Sequence, residues 1–211
     1  MEFFKKRLIF AFMETKVLII NAAQNFAHSG GALNNTLTQI DRDFFNQYKN
    51  FQVQVTAIQE GYSPAEEVEK WLWADTIVYH TPVWWFSLPF LFKRYIDEVF
   101  SAGYGRIYKN DGRTADNPKR NYGKGGLLQG RNYMLVSTLN APLEAFTLEN
   151  EFFLQKPIDE AIFFGFHRMN TFIGLEKLDS FHFYDAMKNF DWDITRVAYQ
   201  DHLKRIFISN F

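Results

Sequence analysis

The sequence predicts an α/β domain on an open parallel sheet, and three observations carry that prediction. Short continuous apolar runs rich in Val and Ile recur along the chain, as in strands buried on both faces. The segments between them space their apolar residues at helical intervals. The order strand, helix, strand, helix, strand is that of a parallel sheet with crossover helices. At 211 residues and 47% hydrophobic content, the chain can build one full core and is too short for two domains of ordinary size.

The N-terminus stands apart. Lys5, Lys6 and Arg7 precede the apolar run Leu8-Ile9-Phe10-Ala11-Phe12. This resembles a signal peptide, but the run is shorter than the ~7–15 residues of a signal core and the ~20 of a membrane span. Residues 1–12 therefore read as an extension, and 13–211 as a single domain without an integral membrane segment. The first strand is 17–20, Val-Leu-Ile-Ile, ending at Asn21. Leu33, Leu37, Ile40, Phe44 and Tyr48 then predict a helix over about 32–48. Val53 and Val55 alternate with polar residues in a second strand. Ser63-Pro64-Ala65-Glu66 reads as a helix start, with Ser as cap and Pro in the first turn. Residues 76–79 form the third strand. A helix follows Pro89 with a broad apolar face from Leu88 to Phe100. A fourth strand is expected at 133–138, a helix over about 147–162 that Pro157 ends or kinks, a fifth strand at 169–173, and a last helix over about 194–208. The Gly-rich, basic stretch 103–130 is long for a loop in a compact domain, and reads either as functional or as a mobile surface insertion.

Composition removes several function classes. A formal net charge of -1 does not suit a nucleic-acid partner. The absence of cysteine removes disulfides, thiolate catalysis and cysteine-ligated zinc, and is compatible with a reducing compartment such as the cytoplasm. The five histidines have no helical i, i+3 or i, i+4 pairing, so no metal site is expected. His28 and His167 are candidates for proton transfer, or are hydrogen-bonded structural histidines. The 24 Phe, 10 Tyr and 5 Trp fit either a Phe-rich core or a site for a flat conjugated ligand.

In an open parallel sheet, ligands bind beyond the carboxyl ends of the strands. Three segments fall there. Residues 21–31, with His28, Ser29, Gly30 and Gly31, open a helix whose free N–H groups suit phosphate; the alternative is a simple turn with Ser29 as helix cap. Pro82-Val83-Trp84-Trp85-Phe86 puts two tryptophans in a turn above the sheet, where they cover a ligand, a partner or another loop. Thr138, Leu139, Asn140 and Ala141 bring hydroxyl, amide and backbone groups to the same edge.

At these residues the sequence resembles the NAD(P)H:quinone reductases of the modulator-of-drug-activity-B type. The likeness runs in order from about 15 to 205. It is carried by Lys16-Val-Leu-Ile-Ile-Asn21, Phe26-Ala-His-Ser29, Leu33-Asn34, Trp73-Ala-Asp75, Pro82-Val-Trp-Trp85, Lys93-Arg-Tyr-Ile-Asp97, Asp111-Gly-Arg-Thr114, Tyr122-Gly-Lys-Gly-Gly126 and Asn140-Ala-Pro142-Leu-Glu144. The resemblance implies a flavodoxin-like fold, a doubly wound five-stranded parallel sheet with helices on both faces. It also implies bound FAD rather than FMN, NADPH or NADH as co-substrate, a quinone substrate reduced by two electrons in a ping-pong cycle, and a homodimer. By position it implies that His28, Ser29, Gly30, Gly31, Leu33, Asn34 and Thr36 hold the phosphates and adenosine side of the cofactor. Pro82, Val83, Trp84, Trp85 and Phe86 would line the flavin ring, Thr138, Leu139, Asn140 and Ala141 its polar edge, and Tyr122 would contact flavin or substrate. The chain departs from the mammalian members of the wider superfamily, which relay protons through a Tyr–His pair: the matching stretch 144–155 has no His. The proton donor is then Tyr122 or solvent. Alternatives are a flavin reductase for azo, nitro or metal acceptors, a flavodoxin-like electron carrier, and a flavin-free interaction protein.

Overall fold

A computed structural model describes residues 14–208; the predicted extension at 1–12 lies outside them. The strands β1 (Thr15–Asn21), β2 (Phe51–Ala57), β3 (Thr76–Pro82) and β4 (Asn132–Thr138) form a parallel sheet in the order β2-β1-β3-β4. Beyond β4 the edge is shared by two short strands, β5 (Glu176–Lys177) and β6 (Phe181–Phe183), which pair with its two ends. The central strands read as continuous apolar runs because both faces are covered. Residues 17–20 and 77–79 are fully buried.

Helices pack on both faces. Strand residues alternate between them, so Val17, Ile19, Val78, Met134 and Val136 meet α1 (Ala32–Asn46) and α7 (Trp192–Phe207). Leu18, Ile20, Ile77, Tyr79, Tyr133 and Leu135 meet the opposite layer: α2 (Pro64–Trp73), α3 (Phe90–Ala102) and α6 (Phe164–Ile173). Pro64 occupies the first turn of α2 as predicted, although the Ser63 side chain makes no capping hydrogen bond. Asp191 caps α7, accepting from the Ile194 N–H at 3.0 Å.

Two expectations fail. The predicted strand at 169–173 is the end of α6. Phe166, Asn170 and Ile173 recur at helical spacing and are buried together, Asn170 Nδ2 donates to the Phe166 carbonyl, and Gly174 ends the helix at φ +101°. The edge strand comes later, in segments too short to show a period. The predicted helix over 147–162 is two single turns, α4 (Glu144–Thr147) and α5 (Ile158–Ala161), and Pro157 stands at the cap of the second. Between them Asn150, Leu154 and Gln155 take left-handed backbone that no helix admits.

The 103–130 segment is tied to the domain rather than inserted on its surface. Lys109 N–H donates to the Gly125 carbonyl, Leu127 N–H to Ile107, and Leu128 N–H to Ile173 at the end of α6. Ile107 and Leu128, both within the segment, are fully buried.

Candidate active site

The loops after β1, β3 and β4 enclose a cleft of about 660 Å³ at the carboxyl edge of the sheet. Each loop is held by a neighbour. The Ala22 N–H donates to the His80 carbonyl at 2.8 Å, joining the end of β1 to β3. The Val83 N–H donates to the Thr138 carbonyl at 2.8 Å, and buried Asn34 Nδ2 donates to Thr138 Oγ1 at 3.0 Å. The helix α1 and the strand β4 are thus joined at the cleft floor. Phe26 closes the side, with its ring 5.3 Å from both Trp84 and Phe90.

Helix α1 starts at Gly31, with φ +70° and no capping side chain. The first-turn N–H groups have no partner within a helix, and in the absence of a cap they suit an anion. Ser29 is not the cap; its backbone closes a tight turn with Phe26, paired in both directions at 2.9 Å. The residues fit a flavin phosphate and ring. A Cβ on Gly30 would meet nothing within 4 Å, leaving approach to the backbone open. Asn34 lines the cleft, and its Oδ1 is buried without a partner.

The second loop carries strain. Trp84 and Ser87 exchange two backbone hydrogen bonds of 3.0 Å around Trp85 and Phe86, which lie at φ +46° and +63°. Both central residues of this two-residue turn are left-handed, a conformation that favours Asn-Gly and disfavours aromatic side chains. Trp85 is 93% exposed at the cleft mouth, and the Phe86 ring stacks on Phe152 with centroids 5.2 Å apart.

Of the residues the sequence singles out, His28, Ser29, Gly30, Gly31, Leu33, Asn34, Pro82, Val83, Trp84, Trp85, Thr138, Leu139 and Asn140 line the cleft. Four do not. The Thr36 hydroxyl donates to the Ala32 carbonyl within α1. Phe86 turns away toward Phe152, and the Ala141 carbonyl accepts from the Asp185 N–H. Tyr122 is 71% exposed and packs against Phe172 of α6 and the Arg113 guanidinium, outside the cleft of its own chain. Phe26 and Ala27, singled out only within the Phe26-Ala-His-Ser29 motif, also line the cleft, as do Ala32, Ala186 and Met187, which the sequence does not single out. The last two sit after β6, where the sequence pattern is too weak to place a strand.

His167 belongs to a second polar cluster at the β4 edge, in α6 rather than before a strand. Its Nδ1 lies 2.8 Å from the Tyr133 hydroxyl and its Nε2 2.9 Å from Asp159 Oδ1. Asp159 also pairs with His182, whose Nδ1 lies 2.7 Å from Ser137 Oγ, and with Lys177. Burial opposes ionisation of Asp159, but hydrogen bonds from His167, His182 and Lys177 outweigh it and hold the carboxyl well below its usual range. Asp159→Asn is expected to cost about 2 kcal/mol near neutral pH. A depressed folded pKa stabilises fully above the unfolded value near ~4 and loses that contribution as pH falls toward the folded value. The two proteins should therefore draw together in acid. Urea unfolding at neutral pH and at about pH 3 checks this; an equal gap at both excludes the carboxylate as the cause.

Known proteins agree with this architecture. The family model for the flavodoxin-like fold matches residues 15–206. A Schizosaccharomyces pombe protein is 47% identical over 91% of this chain and 97% of its own. The NADPH:quinone oxidoreductase MdaB of Haemophilus influenzae is 40% identical over 90% of this chain and 98% of its own. Among solved structures, a quinone reductase from Klebsiella pneumoniae superposes with a TM-score of 0.70 at 25% identity, covering 92% of this chain and 86% of that one. An FMN-dependent NADH-azoreductase from Bacillus anthracis, solved with FMN, shares the fold at 16% identity, with a TM-score of 0.63 over 91% and 97% of the two chains. The chain therefore belongs to the flavodoxin-like fold family, among its quinone reductases of the modulator-of-drug-activity-B type.

Proposed function

We propose that the chain is a NAD(P)H:quinone oxidoreductase that uses FAD in this cleft, works by a ping-pong two-electron cycle, and acts as a homodimer in the cytoplasm. One observation carries the reading: the Trp85-Phe86 turn is held in left-handed backbone and sets Trp85 at the mouth of a cleft whose other wall is an uncapped helix N-terminus. Strain of this kind persists where the surroundings enforce it, and it concentrates at ligand sites. Flavin, when bound, supplies the hydride chemistry, accepting from NAD(P)H and donating to quinone.

The chain's own residues supply position and field. The N–H groups of the first turn of α1 bind phosphate. Asn34 holds a polar group of the cofactor against Thr138. Pro82, Val83 and Trp84 pack the ring edge, and Leu139 and Asn140 meet its polar end. Trp85 offers an aromatic face to a quinone stacking at the mouth. A polar groove of about 710 Å³, lined by Asn21, Asn35, Thr38, Gln39 and Arg42, begins in the first turn of α1. The buried Thr38 hydroxyl has no partner there. On this reading the groove takes the adenosine half of a dinucleotide, which supports FAD as the cofactor. Exposed Tyr122 serves the cleft of the second copy in the dimer.

The test is cofactor extraction followed by steady-state oxidation of NADPH and NADH with menadione. Released FAD and parallel-line kinetics are expected. Released FMN alone refutes the dinucleotide, and colourless protein that takes up no flavin refutes the reading outright. Bound flavin without NAD(P)H oxidation identifies an electron carrier instead.

A further inference from the structure

Beneath the cleft, three ionisable side chains meet in the domain interior. Asp41 of α1, His80 of β3 and Tyr199 of α7 are each fully buried. Asp41 Oδ2 lies 2.8 Å from His80 Nε2, and the Tyr199 hydroxyl donates to Asp41 Oδ1 at 2.5 Å. Burial, with Asp41 beside it, pushes Tyr199 far above the ordinary phenol range, so Tyr199 stays neutral. Both Asp41 oxygens accept: Oδ1 from the Tyr199 hydroxyl and Oδ2 from the His80 Nε2–H, the tautomer that leaves no unsatisfied N–H at the partnerless Nδ1. That leaves Nδ1 as the atom for a further proton, and Nδ1 is buried without a hydrogen-bond partner. With a neutral imidazole the cluster holds one uncompensated negative charge; with Nδ1 protonated as well it holds none.

The cluster is placed to respond to the cleft. Asn34, Thr38 and Asp41 recur at i, i+4 and i+7 on one buried face of α1. Asn34 lines the cleft, and His80 stands two residues before Pro82, which also lines it. Seven helical residues put Asp41 about 10 Å from Asn34 along α1, through packed protein that mobile ions do not enter. The groups facing His80 include Asp41 on α1, Tyr199 on α7, and its register partners Asn21 on β1 and Val136 on β4. His202 on α7 feels the field of Asp41 and is held low chiefly by burial. None of these is a fixed cation.

We propose that His80 is a positioning residue for charge: the Asp41–His80–Tyr199 cluster binds one proton at His80 Nδ1 for each hydride delivered to the cleft, and releases it when the hydride leaves. The inference rests on the flavin reading above. A hydride from NAD(P)H carries two electrons and one hydrogen nucleus, so the cleft gains one negative charge. The compensating proton comes from solvent and returns to solvent when the quinone takes the hydride. At the cluster only the Nδ1–H bond forms and breaks.

The test is nitrogen NMR of the flavin-loaded protein with labelled histidine, oxidised and then reduced anaerobically with dithionite. The five histidines are assigned by replacing the four others one at a time, so the readout stands whether or not a His80 variant folds. The His80 Nδ1 signal is expected to move from the range of a bare ring nitrogen to that of a protonated one on reduction. His80→Gln, whose amide still donates to Asp41, should take up about one proton fewer per flavin reduced, counted with an indicator dye. An unmoved His80 signal in a protein that binds and reduces flavin overturns this inference alone. A protein that binds no flavin overturns it together with the functional reading.

Discussion

Gly126→Ala is expected to destabilise the protein by about 3 kcal/mol, near the upper end for an overpacked site. A Cβ there would lie 2.2 Å from the Ile173 carbonyl carbon and 2.5 Å from the Gly174 nitrogen. Both are backbone atoms at the C-terminus of α6, so no side chain can turn aside. The same helix end receives the Leu128 N–H, so moving it loosens the 103–130 segment and α6 together. A domain of this size should lose roughly 6–12 °C in Tm. Gly130→Ala is the control: Gly130 has φ +79°, but a Cβ there meets nothing within 4 Å, so its cost is backbone strain of about 1 kcal/mol. Thermal unfolding followed by circular dichroism distinguishes them. Equal losses would mean that the segment is not packed against α6.

Trp85→Gly is expected to move stability and activity in opposite directions. Glycine adopts the φ of +46° found at this position without the clash that Trp suffers, and the Trp side chain is 93% exposed, so little burial is lost. The variant should gain about 1 kcal/mol in chemical denaturation. If Trp85 stacks on the quinone, kcat/KM for menadione should fall about 10- to 100-fold, some 1.4–2.7 kcal/mol of transition-state stabilisation. The half-reaction with NADPH should be far less affected, because the loss is specific to the quinone. Stopped-flow measurement of the two half-reactions reads them separately. Unchanged quinone kinetics would remove Trp85 from the site and leave its strained turn without a functional account.

The legible parts of the chain are those whose local pattern and final environment coincide. The strands at 17–20 and 76–79 are buried on both faces, so a bare run of Val, Leu and Ile announces them. The helix at Ala32–Asn46 buries one face, and its 3.6-residue period announces it. The edge of the sheet is different. Glu176–Lys177 and Phe181–Phe183 are strands only because β4 offers them unpaired groups, and two or three residues hold no period. The run at 169–173, Met-Asn-Thr-Phe-Ile, reads as a strand because Thr, Phe and Ile favour strands. Its membership in a helix shows only when Phe166 and Asn170 are included.

The amino-acid order by itself determined the parallel sheet, the three loops at its carboxyl edge and most of the residues that meet in the cleft. Loops at strand ends follow from connectivity, and connectivity is a property of the chain. Tertiary structure alone decided what lies far apart in sequence. It turned Phe86 out toward Phe152 and carried Tyr122 to the α6 side. It brought Ala186 and Met187 into the cleft, and it enclosed Asp41, His80 and Tyr199 in one buried cluster. Such groups are spaced too widely for any local pattern to join them. Their meeting is set by which faces of α1, β3 and α7 pack together, and that packing exists only once the whole sheet has formed.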